Sequence, residues 1–95
     1  MKKIFNYING KLVKPEKAKY IDVFNPSRGK IYARCPESTS SDLKSAVNSA
    51  TKAFNSWREF SNEQRSRILF KIADEIEKRK EEFALAETID NGKPL

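Results

Sequence analysis

Of the 95 residues, Cys35 is the only candidate nucleophile that stands out. A thiol attacks as its thiolate, which needs a neighbouring base, a cationic group or a helix N-terminus to lower its pKa. Cys35 lies between Arg34 and Pro36 at the end of an apolar run, and the chain has no histidine. It therefore reads as an inert, half-buried thiol. One cysteine and no histidine also leave a zinc site without its usual ligands. A phosphate loop needs clustered glycines, whereas Gly10, Gly29 and Gly92 fall in three separate turns. Carboxylates between residues 62 and 82 alternate with Lys and Arg, the pattern of a solvated helix face. Phe54 and Trp57, three apart, suit a packed helix face better than a base-stacking platform, which would put aromatics on strands.

Charge narrows the classes further. The formal charge of +6 is concentrated in residues 1–36, where nine Lys or Arg face only Glu16 and Asp22; residues 37–95 carry ten against eleven acids. Such a basic third can attract nucleic acid or anionic lipid non-specifically. It equally suits a lysine-rich surface that keeps an edge strand from pairing with other chains. No apolar run approaches the roughly 20 residues of a membrane span. Met1-Lys2-Lys3 lacks the apolar stretch of a secretory signal, and a lone cysteine cannot form an internal disulfide. These features fit a cytoplasmic protein without a membrane partner.

The positioning elements follow from the hydrophobic period, which changes from two to 3.6 near residue 37. Phe5–Ile8 and Lys11–Val13 flank Asn9-Gly10, the strongest short hairpin signal. Tyr20–Phe24 and Ile31–Cys35 flank the turn-rich Asn25-Pro26-Ser27-Arg28-Gly29-Lys30 and form a second hairpin. Thr39 with Asp42, and Ser61 with Gln64, are capping-box pairs that open two helices. Leu43, Ala46, Val47, Ala50, Phe54 and Trp57 line the first helix; Arg65, Ile68, Leu69, Ile72 and Ile76 line the second. On the second, Lys71 with Glu75 and Asp74 with Lys78 are spaced for i,i+4 pairing, and Lys78-Arg79-Lys80 suits the dipole of its last turn. A third helix carries Phe83, Leu85, Ala86 and Ile89 and ends at Asn91-Gly92. The expected class is α+β: two β-hairpins in 1–36, then three helices in 37–95. Three amphipathic helices over two small hairpins leave apolar faces uncovered. Lys93-Pro94 after the helix stop is a connector. The chain accordingly reads as the opening section of a larger protein.

In order and spacing, several segments resemble the N-terminal section of the aldehyde dehydrogenase superfamily. They are Tyr7–Lys11, Val23–Pro36, Ala46–Trp57, Arg65–Leu69 running into Ile72-Ala73, and Glu87–Pro94. The Gln64–Arg67 and Glu81–Glu87 stretches look most like the muconic-semialdehyde branch. The resemblance implies a peripheral part of an α/β, Rossmann-like cofactor domain, with the catalytic domain absent from this chain. It implies oxidation of an aldehyde to a carboxylic acid with NAD or NADP, in a usually homo-oligomeric enzyme. The family's catalytic cysteine, its water-activating glutamate and its cofactor-binding groups all come later than position 95. Cys35 matches none of them. The chain alone is therefore expected to bind no cofactor and to be inactive, with the remainder of the subunit as its partner. One non-catalytic site carries over, a structural cation held by backbone carbonyls at Val23 and Phe24 and by Asp90. The competing reading of Asp90 is a plain helix-end residue. For the whole chain the alternative is a free-standing basic module, binding nucleic acid or docking onto full-length subunits.

Overall fold

The computed structural model describes residues 2–95, in the order β1 (Lys2–Lys3), β2 (Asn6–Ile8), β3 (Lys11–Val13), β4 (Tyr20–Asn25), β5 (Lys30–Pro36), α1 (Ser40–Trp57), α2 (Asn62–Lys78) and α3 (Lys80–Asn91). Asn9 and Gly10 adopt φ of 54° and 75°, the paired left-handed conformations of a type I′ turn. That turn sets Ile8 opposite Lys11 and Asn6 opposite Val13 in a two-stranded antiparallel sheet. The second hairpin joins β4 to β5 in a three-stranded sheet of order β1-β5-β4.

The hydrophobic pattern does not signal β1. Lys2 and Lys3 pair in parallel with Ala33 and Arg34, and the Ile4 amide donates to the Arg34 carbonyl at 2.8 Å. Two lysines carry no alternating hydrophobic signal, and the pairing spans about thirty positions, beyond the reach of a local pattern. The first strand of the hairpin also starts at Asn6 rather than Phe5.

Both helix starts form as the capping boxes require. The Thr39 amide donates to Asp42 Oδ2 at 2.8 Å, and the Asp42 amide donates to Thr39 Oγ1 at 3.4 Å. The Ser61 amide donates to Gln64 Oε1 at 2.8 Å, and the Gln64 amide returns a bond to Ser61 Oγ at 3.1 Å. Asp42 also accepts from the Glu16 amide at 3.0 Å, which ties the loop after β3 to the head of α1.

The ion pairs of α2 obey helical spacing but join other residues than those expected. Glu75 meets Lys78 at 3.6 Å, three residues on rather than four, and Glu63 meets Arg67 at 2.7 Å. Neither expected i,i+4 pair forms among the described residues. The basic cluster 78–80 is also split: Lys78 closes α2, Lys80 opens α3, and Arg79 between them reaches forward to Glu82 through two bonds of 3.0 and 2.7 Å. A bidentate guanidinium–carboxylate contact outcompetes a dipole-only interaction at an exposed helix end.

Packing between the elements is sparse. α3 lies on β4, α1 touches β2, and α2 meets α3 at their junction. Ala33 and Pro15 are the buried residues among those described. The Cα radius of gyration is 16.9 Å, against about 12 Å expected for a globule of this length. The accessible surface is 8145 Å², about 2,500 Å² more than the folded-monomer scaling gives for this mass. Phe54 and Trp57, expected in a core, stay 55% and 37% exposed. Among the described residues their surroundings are the flank of α1 and Phe60, whose ring is tilted against Trp57 at 5.5 Å between centroids.

Candidate functional site

Three features converge where the β4–β5 hairpin meets the end of α3. The first is the turn after β4. Asn25 accepts at its carbonyl from the Arg28 and Gly29 amides at 3.2 and 2.8 Å, and at its side-chain oxygen from the Ser27 amide at 3.0 Å. The backbone and side-chain oxygens of Asn25 thus close a turn that contains Pro26.

The second is the C-terminus of α3. Gly92 takes φ of 80°, and its amide donates to the Thr88 carbonyl at 2.9 Å, the helix stop expected of Asn-Gly. A Cβ at Gly92 would lie 3.3 Å from Pro26 Cγ, so a side chain here would be strained in its backbone and would crowd the turn. The Lys93 amide bonds to Asn91 Oδ1 at 2.8 Å and steers the chain away.

The third is a shift in the β4–β5 ladder. Val23 faces Ala33 and Phe24 faces Ile31, so Tyr32 is left without a partner across the strands. An extra residue of this kind is a β-bulge, which re-aims side chains and interrupts the ladder. Tyr32 Oη donates to Asp90 Oδ1 at 2.7 Å, across a separation of 58 residues. Donation to the carboxylate raises the tyrosine's pKa above its ordinary 10, with partial burial and the Asp90 charge adding to the effect.

The structure therefore brings the three expected site residues onto packed elements. Val23 and Phe24 straddle the ladder shift on β4, α3 packs on β4, and Asp90 projects from α3 to the bulge. β4 is the outer strand of its sheet, so its outward carbonyls meet no further strand. Among the described residues no three His, Cys, Asp or Glu side chains gather as a metal cage. The donors on offer are one carboxylate and backbone oxygens, a set that suits a hard alkali or alkaline-earth cation. Tyr32 is not among the expected site residues. The one signal for it is its place in a β run beside a turn, which does not identify a partner on a helix.

Elsewhere the described surface holds further shallow grooves. Cys35 lies half-buried on β5 opposite Ile21 and is unbridged. A polar groove of about 720 Å³ runs between the β2–β3 turn and α1, lined by Asn9, Lys44, Asn48 and Lys52 among others. An apolar one of about 400 Å³ is lined by Ala50, Phe54, Trp57 and Phe60. Both helices also carry uncovered apolar side chains, Leu43 and Val47 on α1 and Leu69, Ile72 and Ile76 on α2, each at least half-exposed.

Comparison with known proteins bears on this arrangement. A family model described as the aldehyde dehydrogenase family matches residues 12–95. The 2-aminomuconic semialdehyde dehydrogenase of Homo sapiens is 43% identical over 90 residues, which are 95% of this chain and 18% of that protein. The long-chain-aldehyde dehydrogenase of an Acinetobacter species has the same identity over the same shares. Among solved structures, an NAD-dependent aldehyde dehydrogenase from Sinorhizobium meliloti superposes with a TM-score of 0.92 at 37% identity, over 99% of this chain and 20% of that one. The chain thus spans about a fifth of the length of the relatives it matches.

Proposed function

The chain belongs to the aldehyde dehydrogenase family, and from that membership we propose that it is the opening section of a dehydrogenase subunit. The subunit oxidises an aldehyde to a carboxylic acid with NAD or NADP. This section forms a peripheral layer of its Rossmann-like cofactor domain, in a cytoplasmic and homo-oligomeric enzyme. The carrying observation is the uncovered apolar face. If only a third of the excess surface is apolar, covering it at about 25 cal/mol per Å² gives roughly 20 kcal/mol. A face of that worth calls for a permanent cover, and the remainder of the subunit supplies one in the same polypeptide.

The role within the subunit is scaffolding. Relatives named for a muconic semialdehyde and for long-chain aldehydes are equally similar to this section. A segment that read the substrate would distinguish them. On this reading the chain alone has no dehydrogenase activity, because the reacting groups belong to other segments.

A complementation experiment tests the proposal. The chain is co-expressed with the Sinorhizobium meliloti relative from which the matching first fifth has been removed, and NAD reduction with a panel of aldehydes is followed. Neither part alone is expected to turn over, while the pair co-purifies and regains activity. A chain that melts cooperatively as a monomer and never associates overturns the reading. Tight, salt-sensitive nucleic-acid binding that survives changes in the helices would instead favour a basic module.

The same junction is proposed as a structural cation site. Carbonyls of Val23 and Phe24 and the Asp90 carboxylate would hold a Na⁺, K⁺ or Mg²⁺ ion, which would neutralise the carboxylate and pin α3 to the hairpin. Titrating each ion into the full encoded polypeptide while following Tm checks this. No response, or an unchanged response in Asp90→Ala, rejects it.

A further inference from the structure

We propose that Tyr32 is the positioning residue for Asp90, a bulged tyrosine that sets the carboxylate toward β4 before a cation arrives; this rests on the cation reading above. Two independent contacts support it. In the ladder, Tyr32 is the residue skipped when the register passes from Val23–Ala33 to Phe24–Ile31. The bulge that frees it from cross-strand pairing lies directly opposite the two residues whose carbonyls the site would use. Its hydroxyl then takes Oδ1 of Asp90 at 2.7 Å, leaving Oδ2 without a bond from the protein among the described residues. The second contact is the approach of Gly92 to Pro26, two residues beyond Asp90, which fixes the height of the α3 end over the turn. One contact sets the position of the helix end and the other sets the rotation of the carboxylate. Together they confine a side chain that would otherwise sample several rotamers at an exposed helix terminus. A carboxylate already oriented by a hydrogen bond loses less freedom on binding an ion, the usual benefit of a partner behind a ligand.

The test is a cation titration of the full encoded polypeptide and of Tyr32→Phe, at constant ionic strength, with Tm as the readout. K⁺, Na⁺ and Mg²⁺ are each used as the probe. In Tyr32→Phe the half-saturating concentration of the effective ion is expected to rise about tenfold, the low end of what loss of such a partner costs. A lower Tm at every concentration with the same half-saturation would make Tyr32 merely structural and overturn the proposal. A parent protein that responds to no ion would sink the cation site itself, a different failure and visible before any variant is made. Should Tyr32→Phe fold poorly, Tyr32→Gln keeps a polar group on the strand that is too short to reach Asp90, and the same rise is expected. An unchanged half-saturation in that variant counts against the proposal in the same way.

Discussion

The hairpin–α3 junction and the α1–α2 face are built on opposite terms. The junction is closed by contacts internal to this chain: a ladder, a doubly bonded turn, a glycine against a proline, and a tyrosine donating to a carboxylate. The helices hold their shape through their own caps and backbone bonds, but their apolar side chains face outward. Polar, directional contacts can be completed within a few dozen residues. A hydrophobic layer cannot, because it needs area on both sides. One polypeptide section can thus be locally specified while its apolar side chains stay exposed.

The most severe way to break the contrast is Ile72→Asp. Ile72 is half-exposed on the apolar face of α2, so an aspartate is nearly neutral in the isolated chain. In the covered state the charge would be buried without a partner, at a cost of about 3 kcal/mol or more. Co-purification and restored NAD reduction are expected to be lost, while the circular dichroism of the chain alone stays unchanged. Equal behaviour of variant and parent in complementation would show that this face is not the covered one.

Gly92→Ala strikes the other region. The left-handed backbone costs an alanine about 1–2 kcal/mol, and its Cβ must also displace Pro26, 3.3 Å away. Hydrogen exchange is expected to quicken in β4, β5 and the end of α3 and to stay the same in α1. Uniform quickening would mean that the two regions are not separable.

The two regions are also unequally legible in the amino-acid sequence. Caps, turns and helix faces are local, so Thr39, Asp42, Ser61, Gln64, Asn9 and Gly10 signal their own roles within four residues. The uncovered apolar face is legible too, since amphipathic spacing shows which positions need cover. What covers what is not. Phe54 and Trp57 have a core pattern, but a pattern cannot say where an opposing layer comes from. The pairing of Lys2-Lys3 with β5, the bulge at Tyr32 and its bond to Asp90 depend on three-dimensional register between distant segments. The family resemblance points to Val23, Phe24 and Asp90, and the structure adds Tyr32 on β5, which lies opposite the β4 pair and bonds the α3 carboxylate.

A smaller effect is expected from Ser61→Ala, which removes the acceptor for the Gln64 amide at the head of α2. The loss is about 1 kcal/mol and is confined to the first turn. Urea melts of the complemented pair and amide exchange at residues 62–65 read it out. Because α2 meets α3 at their junction and packs broadly on no other element among the described residues, the change sharpens the comparison. Fraying that spreads through α2 in the free chain but stops at the first turn in the pair would show that the cover, and not the cap, stabilises the rest of the helix.

The smallest effect is a pH dependence at the link between the strands and α1. Bonds from the Thr39 backbone, and then from the Glu16 amide and the Thr39 hydroxyl, hold the Asp42 carboxyl below its ordinary 3.8. A carboxylate with a depressed folded-state pKa contributes stability above its unfolded value and loses it as pH falls through the folded one. The contribution is thus fully present at neutral pH and fades below about pH 4. Asp42→Asn keeps an oxygen acceptor but removes the charge. The difference in Tm between parent and variant should be largest near neutrality and should close on acidification. Since the Asp42 carboxylate bonds both the β3–β4 loop and the head of α1, a difference that persisted into acid would assign the link to geometry rather than charge.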